Sequence, residues 1–324
     1  MSDKPRTVFM GTPEFAASCL QALIDEGYPI VGVYTQPDKP VGRKQVLTAP
    51  PVKILAEAAG LPVFQPKKLR DGTVAAQLQE LGTELIIVVA YGRILPPAIL
   101  EVPRLQCLNV HGSLLPKYRG AAPIQWAIAD QEPVTGVTLM IMEEGLDTGP
   151  MLAVAELPIA AADTSETYFP KLAQVGADLL KTALPDWIAG RITPQVQDDT
   201  KATFAPIIEK TQGLVDWMMS AAAIDARRRA FTPWPGVHAF YREDTLKLLQ
   251  TEPIADVPGE LSQPGEVVAI GADYVDVACG EGATRSILRL KRMQLPGGKP
   301  LGAGDFARGQ RLQLGERLLA TMLC

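Results

Sequence analysis

The sequence predicts an α/β fold in which a doubly wound, mostly parallel, Rossmann-like sheet is followed by a small OB-like β-barrel. Strand and helix patterns alternate over residues 1–190. Residues 85–90 form a continuous apolar run, as expected for a central parallel strand covered on both faces. Short β-like runs separated by Gly and Pro dominate the last hundred or so residues. We predict a first domain over 1–190, a linker over 191–208 and a C-terminal domain over 209–324.

The elements of the first domain follow in chain order. Residues 7–10 are β-prone, and Pro13 suits the first turn of an amphipathic helix over residues 15–25. Residues 36–51 have no helical period and are predicted to form a long functional loop. The remaining predicted elements are strands at Ile30–Tyr34, Val63–Phe64, Cys107–His111 and 135–142, and helices at 52–59, 74–81, after Gly120, and from Asp163 to near Gly190.

The second half of the chain has a different pattern. Apolar residues show no helical or strand periodicity over residues 191–208, and this segment contains two prolines, which favours a linker. Ala221–Ala230 has the composition of a helix. The predicted strands of the C-terminal domain are residues 246–249, 265–270, 275–278 and 286–290.

Composition excludes several classes of protein. Of 324 residues, 47% are hydrophobic and 21% are charged, which is typical of a globular protein of two domains. The four cysteines have no C-x-x-C spacing, so a reducing compartment is expected. With two histidines and no H-E-x-x-H motif, a metal site is not expected. Neither a signal peptide nor a membrane span is predicted. We expect a cytoplasmic monomer without a membrane partner.

The net charge of −5 is unevenly distributed. The part of the chain after residue 200 is less acidic than the part before it, and it contains basic clusters at residues 227–229 and 289–292. Such clusters permit contact with phosphate groups, although a solvated charged surface is an equally good explanation for each one.

A pair of polar residues marks a candidate reaction centre. Asn109 and His111 lie two residues apart on a predicted buried strand, so their side chains share one face of it. Burying polar side chains costs free energy unless they are hydrogen-bonded or serve a function. The strand ends at Gly112, and Pro116 makes the following segment a loop. Asn109 and His111 could simply satisfy each other. However, the chain has only one other histidine, His238, so imidazole chemistry has few candidates.

Several motifs extend over nearly the whole chain: FMGTPEFAA, TQPDKPVGRK, VVAYGRILP, NVHGSLLPKYRGAAPIQWAI, GVTLMIMEEGLDTGP and RAFTPWPG. Through them the sequence resembles the formyltetrahydrofolate-dependent formyltransferases. The loop of residues 35–51 and the PWP segment are most similar to those of the tRNA-acting members.

The resemblance implies transfer of a formyl group from 10-formyltetrahydrofolate to the α-amino group of methionine on initiator methionyl-tRNA, for translation initiation. It implies that Asn109, His111 and Asp147 are catalytic. An amide such as Asn109 can donate a hydrogen bond to the forming oxyanion. His111 could hold the same oxygen or transfer protons. Asp147 would orient the imidazole.

The resemblance also implies two binding regions. The loop of residues 35–51 would contact the acceptor end of the tRNA through Arg43 and Lys44. The folate-binding residues would be Ser113, Leu114, Leu115, Pro116, Tyr91, Arg93 and Leu95. The turn after residues 85–90 would bind the pterin largely through backbone groups around Arg93 and Leu95.

Two other functions are compatible with these motifs. A formyltransferase acting on a small amine, such as a sugar nucleotide or purine precursor, would show a shallower salt dependence of substrate affinity than one acting on phosphate-rich RNA. A non-catalytic RNA- or folate-binding protein could share the fold, because fold does not fix function.

Overall fold

The computed structural model describes residues 4–42, 45–254 and 263–320. They form two compact units. The first takes in the chain up to Pro123, Val134–Pro158 and Tyr168–Pro206, and the second takes in Ile124–Pro133, Ile159–Thr167 and the chain from Ile207 onward. The domain boundaries expected from the sequence, at residues 190 and 208, stay a prediction.

The elements up to Ala205 are mostly short. The strands are β1 Thr7–Gly11, β2 Ile30–Tyr34, β3 Lys39–Val41, β4 Val46–Thr48, β5 Val63–Phe64, β6 Leu85–Val89, β7 Cys107–His111, β8 Arg119–Gly120, β9 Val134–Ile141, β10 Met151–Pro158 and β11 Phe204–Ala205. The helices are α1 Glu14–Asp25, α2 Pro51–Ala58, α3 Thr73–Glu80, α4 Pro97–Leu100, α5 Pro123–Ala129 and α6 Ser165–Ile188, with a short 3-10 helix at Asp199–Lys201.

The main sheet has the strand order β10-β9-β7-β6-β1-β2-β5. Five neighbouring strands, β7, β6, β1, β2 and β5, are parallel to one another. Strand β9 pairs with β7, and β10 with β9, in antiparallel fashion. Every residue of β1 and β6 is buried, because central strands of a doubly wound sheet are covered on both faces. The carboxyl ends of the parallel strands share one edge, which is where ligands bind in such sheets. The prediction of a mostly parallel sheet is confirmed.

The segment predicted as a long loop contains a small hairpin. Strands β3 and β4 pair in antiparallel fashion, from Lys39 opposite Thr48 to Val41 opposite Val46. Arg43 and Lys44, the residues predicted to contact tRNA, lie between these strands in the sequence and outside the described residues.

The base of this loop is fixed by a polar network. The Lys53 ammonium donates to an Asp38 carboxylate oxygen at 2.9 Å, and the Gln65 amide donates to the other at 2.8 Å. These hydrogen bonds, the one from Gln65 first, lower the pKa of Asp38. Gln36 in turn donates to the backbone oxygen of Tyr91 at 3.0 Å, which connects the loop to the turn after β6.

Most of the predicted linker is hydrogen-bonded within the first unit. Gln195 and Met151 exchange backbone hydrogen bonds of 2.8 Å. Strand β11 pairs in parallel with β8. The chain is therefore grouped with the first unit as far as Pro206, and residues of this segment reach the candidate site.

In the described residues after 207, the second unit is an antiparallel β domain with two α-helices. Its main sheet has the order β12-β13-β16-β15-β14, and β17 pairs with β16. The elements are α7 Ala221–Ala230, β12 Val237–Tyr241, β13 Asp244–Ile254, β14 Val267–Ile270, β15 Val275–Cys279, β16 Ser286–Gln294, β17 Leu301–Gly302 and α8 Ala303–Gln310, with 3-10 helices at Lys210–Gly213 and Gly282–Thr284.

The two edges of this sheet are joined by one segment, residues 315–319. Leu319 and Phe240 of β12 exchange two backbone hydrogen bonds of 2.8 Å, and the Leu318 N–H donates to the Gly265 oxygen, next to β14, at 2.8 Å. The segment therefore occupies both free edges, as the prediction of a barrel requires. Over the described ranges, none of the helices combines the length and apolar character needed to cross a membrane.

Candidate active site

Strand β7 places two of the predicted catalytic side chains side by side. Asn109 and His111 are two residues apart, so both point to one face of the sheet. His111 is 5% exposed, and Asn109 is half-buried. Strand β7 pairs with β9, with Asn109 opposite Met140 and His111 opposite Thr138.

Asp147 reaches the same place from the turn between β9 and β10. Its Oδ2 lies 3.7 Å from Nδ1 of His111, and its Oδ1 accepts a hydrogen bond of 3.4 Å from the Asn109 amide. The backbone N–H of Gly120 donates to Oδ2 at 2.8 Å. The structure thus brings together three side chains that come from distant parts of the sequence.

The backbone of this turn determines where the carboxylate sits. Asp147 has a φ of +52°, in the left-handed region that non-glycine residues rarely adopt. At Gly149 a Cβ atom would lie 1.9 Å from the backbone oxygen of Ile141, so only glycine fits there. These two residues restrict the backbone conformation of the turn, and that conformation positions the Asp147 carboxylate.

A backbone carbonyl fixes the hydrogen on the imidazole of His111. Nε2 lies 2.9 Å from the oxygen of Tyr118. A carbonyl oxygen only accepts hydrogen bonds, so Nε2 must carry a hydrogen and donate it. Nδ1 is then the ring nitrogen that faces the carboxylate of Asp147.

Two further residues, neither of them among the predicted site residues, hold the Asp147 turn. The Gln197 amide donates to the backbone oxygens of Asp147 and Gly149, at 2.8 Å each. Arg119 donates to the Gln197 side-chain oxygen through Nε at 3.0 Å and Nη2 at 2.8 Å. Arg119 is only 4% exposed and Gln197 only 6%, and the guanidinium also contacts the exposed Asp199 at 2.7 Å.

Sequence reasoning missed these two residues for different reasons. Gln197 lies in a segment without any pattern, so nothing local marks it. Arg119 comes three residues after the HGSLLP motif, between Tyr118 and a run of small residues. That place was a usable signal, because a buried arginine needs partners.

The loop after β7 is held by its own polar groups. The Ser113 hydroxyl donates to the Lys117 oxygen at 2.7 Å. Thr138 joins two points of the loop, since its hydroxyl donates to the Ser113 oxygen at 2.7 Å and accepts from the Leu115 N–H at 3.1 Å. Of the predicted folate residues in this loop, Ser113 and Leu115 are buried, whereas Leu114 and Pro116 are half-buried.

The turn after β6 carries the other predicted folate residues. Tyr91 and Leu95 are 2% and 3% exposed, so a ligand at the surface of the turn would meet their backbone groups. Arg93 is half-buried, and its Nε lies 3.4 Å from the side-chain oxygen of Gln36. Ile94, which follows Arg93, is 71% exposed.

In the ranges that the structure describes, no three His, Cys, Asp or Glu side chains come together as a set that could hold a metal ion. The expectation that the protein needs no metal stays a prediction.

Comparison with known sequences identifies the family. A sequence model described as "Formyl transferase" matches residues 5–184, and one described as "Formyl transferase, C-terminal domain" matches residues 207–311. A methionyl-tRNA formyltransferase of Myxococcus xanthus (strain DK1622) is 48% identical over 314 residues, covering 97% of this chain and 98% of that protein. The chain belongs to the methionyl-tRNA formyltransferase family. The resemblance inferred from the motifs is confirmed.

Solved structures share the fold of this methionyl-tRNA formyltransferase family member. An N-formyltransferase from Helicobacter canadensis, in complex with folinic acid and dTDP-3-aminofucose, has a TM-score of 0.65 at 17% identity and covers 89% of this chain and 99% of its own. HypX from Aquifex aeolicus, in complex with tetrahydrofolic acid, has a TM-score of 0.58 at 17% identity and covers 96% of this chain. This chain spans about half the length of HypX, 48%. At such low identity, the structural similarity shows a shared fold alone. Both of these solved structures contain a bound folate.

Proposed function

We propose that the protein transfers the formyl group of 10-formyltetrahydrofolate to the α-amino group of the methionine on initiator methionyl-tRNA, in translation initiation. One observation carries the proposal. Asn109, His111 and Asp147 converge at one point in a chain that belongs to the methionyl-tRNA formyltransferase family. We further propose that it acts as a cytoplasmic monomer and needs no metal.

The reaction makes one bond and breaks one. The amine nitrogen bonds to the formyl carbon, and the bond between that carbon and N10 of the folate breaks. The amine loses a proton and N10 gains one, so no further reactant is consumed. A free α-amino group has a pKa of about 8, so part of it is a neutral nucleophile at cellular pH. The protein therefore has to supply position, stabilise the oxyanion and move a proton.

Asn109 is assigned to the oxyanion. Among the residues that the structure describes, its amide has a single partner, Asp147, at the long distance of 3.4 Å. Its half-buried side chain leaves part of the amide within reach of a ligand. An N–H directed at the formyl oxygen stabilises the negative charge that develops there, and loss of such a donor costs about 10²- to 10³-fold in rate.

The pair of His111 and Asp147 is assigned to the proton transfer. Because Nε2 of His111 donates to the Tyr118 oxygen, that nitrogen is not available for the formyl oxygen. Nδ1 faces the Asp147 carboxylate at 3.7 Å. The pair accepts the proton of the attacking amine and returns it to N10, and the carboxylate stabilises the cationic imidazole.

The substrates are assigned to loops at the carboxyl edge of the sheet. The tRNA acceptor end contacts the segment between β3 and β4 through Arg43 and Lys44. This segment's base is anchored by Lys53 and Asp38. The donor is bound by the turn after β6 and the loop after β7, through Tyr91, Arg93, Leu95, Ser113, Leu114, Leu115 and Pro116.

The test is formylation of initiator methionyl-tRNA with 10-formyltetrahydrofolate by the purified full chain, with elongator methionyl-tRNA as the control. We expect formylmethionyl-tRNA from the initiator species in preference to the elongator. A higher kcat/KM with an amino-sugar nucleotide or a purine precursor would overturn the assignment of substrate. Binding of both substrates without product would overturn the assignment of activity.

A further inference from the structure

The loop between β7 and β8 ends on a peptide group that is shared by His111 and Thr203. This peptide group joins Tyr118 to Arg119. Its oxygen lies 2.9 Å from Nε2 of His111, and its N–H donates to the backbone oxygen of Thr203 at 2.9 Å. Thr203 comes 85 residues after Tyr118 in the sequence and directly precedes strand β11. A residue from the segment after α6 therefore contacts the same peptide group as the catalytic imidazole.

The side chain of Thr203 makes a second contact with the end of this loop. Its hydroxyl oxygen accepts a hydrogen bond of 2.9 Å from the N–H of Tyr118. Tyr118 has a φ of +62°, in the left-handed region that is unfavourable for a residue with a Cβ atom. Such a conformation persists only where surrounding contacts hold it. Thr203 supplies one contact on each side of the Tyr118 Cα atom, and together they fix the direction of the Tyr118 carbonyl.

That direction matters because two acceptors compete for one hydrogen of His111. A neutral imidazole carries a single N–H. The Tyr118 oxygen lies 2.9 Å from Nε2, whereas the Asp147 carboxylate lies 3.7 Å from Nδ1. With the carbonyl in this position the hydrogen is on Nε2, and Nδ1 keeps the lone pair that takes up the proton of the amine. If the carbonyl moved away, the carboxylate would draw the hydrogen to Nδ1, and the ring could not accept a proton there.

We infer that Thr203 is a positioning residue, whose hydroxyl holds the Tyr118 backbone and thereby selects the tautomer of His111 that carries its hydrogen on Nε2. The inference rests on the proposed function for its effect on the rate, whereas the tautomer is a property of the protein without substrates. One hydrogen bond between neutral groups changes an equilibrium by about fivefold. We expect loss of the hydroxyl to change the ratio of the two tautomers by about that factor.

The test uses three substitutions in one segment. Thr203→Val keeps the shape of the side chain and removes the acceptor, and Thr203→Ser restores the hydroxyl. The matched control is Thr200→Val, because the Thr200 hydroxyl donates to the exposed Asp198 at 2.6 Å and makes no listed contact with the loop after β7. The side chain of Thr203 is exposed, so the valine variant is expected to fold. Thr203→Ala, a second variant without the hydroxyl, should give the same result.

The tautomer is measured from the ¹⁵N chemical shifts of the imidazole nitrogens, in buffer alkaline enough for the rings to be neutral. The chain has two histidines, and the His238→Gln variant assigns the signals of His111. In the native protein and in Thr200→Val we expect the hydrogen on Nε2. In Thr203→Val the share on Nδ1 should rise about fivefold and kcat should fall roughly fivefold. Thr203→Ser should return both values to those of the native protein.

Two results would overturn the inference. One is a native ratio of tautomers in Thr203→Val, even with a lower kcat, because the hydroxyl would then serve only the structure of the loop. The other is a Thr203→Ser variant that resembles Thr203→Val. The ¹⁵N measurement needs no substrate, so the expected change of tautomer in a protein without formylation activity would support the role of Thr203 and count against the proposed function alone.

Discussion

At the scale of single residues, the proposed chemistry depends on how neighbouring groups restrict one imidazole ring. The Tyr118 oxygen holds Nε2 of His111 at 2.9 Å, and the Asp147 carboxylate lies 3.7 Å from Nδ1. The first contact settles which nitrogen carries a hydrogen. The distance between Nδ1 and the carboxylate is longer than a hydrogen bond. The two groups can move together when Nδ1 takes up a proton during the reaction.

We predict that Asn109→Ala, His111→Ala and Asp147→Ala each lower kcat much more than they weaken folate binding. Each change removes a group that acts on the transition state, and for the amide the loss is about 10²- to 10³-fold. Steady-state kinetics and folate titration of the three variants measure the two effects. Near-normal kcat values in all three would remove the catalytic assignment.

Gln197→Glu is a sharper test of the turn that carries Asp147. Glutamate keeps the size of the side chain and the partner for Arg119, but it cannot donate to the Asp147 and Gly149 oxygens. We expect kcat to fall by roughly 10²-fold, because small displacements of catalytic groups are costly, while the KM for folate changes little. Asp199→Ala is the matched control, since Asp199 contacts the same guanidinium from an exposed position. Equal kcat values in both variants would show that the contact is only structural.

At the scale of elements, helix α7 shows why a run of basic residues is a poor sign of RNA binding. Arg228 and Arg229 both pair with Asp225, at 2.9 and 3.0 Å, and all three side chains are nearly buried. Arg289, in the other basic cluster, pairs with Asp276 at 2.8 Å. These cations serve the folding of the second unit and are already neutralised.

Asp225→Ala is predicted to destabilise the protein by about 3 kcal/mol, because it leaves two nearly buried arginines without their partner. Asp305→Ala is the control, since it removes an i,i+3 partner of Arg308 in the same unit where both side chains are more than 60% exposed, and such pairs contribute about 0–1 kcal/mol. Urea unfolding of both variants gives the comparison. Equal loss of stability would contradict the role assigned to Asp225.

The segment between β3 and β4 carries its own prediction. Arg43→Ala is expected to raise the KM for methionyl-tRNA while the protein stays folded and binds folate, because the change removes the phosphate contact proposed for this side chain. Circular dichroism and folate titration serve as controls. Unaltered kinetics with tRNA would refute this contact.

Local pattern accounted for some elements and not for others. Strand β6 and helix α1 were predictable because continuous apolar runs and helical spacing are local signals. Strand β10 was missed, since the exposed face of MLAVAELP includes Val154, 47% exposed, and its residues do not alternate in polarity. Its pairing with β9 determines the strand, and that pairing is a long-range contact.

At the scale of the whole molecule, the same distinction applies to the site. Asn109 and His111 were predictable because they are neighbours on one strand, and the family motif added Asp147. The Tyr118 oxygen and Gln197 were not predictable, because their contacts depend on how distant segments meet. Contacts between distant segments cannot be inferred from amino-acid composition or from the periodicity of apolar residues.

The overall charge leads to a further prediction. A protein with a net charge of −5 can bind RNA only through local cations, and each phosphate neutralised adds about 0.7–0.9 to the salt slope of the affinity. We expect the KM for methionyl-tRNA to rise steeply with salt. The KM for 10-formyltetrahydrofolate, measured in the same buffers, should change much less. Parallel slopes for the two substrates would argue against RNA as the amine carrier.

The closing segment of the second unit has a consequence during synthesis. The ribosome makes residues 315–319 after every strand they join, so β12 and β14 present open backbone groups until that segment emerges. Open strands of this kind attract other nascent chains. A chain cut short before residue 315 is therefore expected to aggregate in the cell or to depend on chaperones, although the residues proposed for catalysis would all have been made.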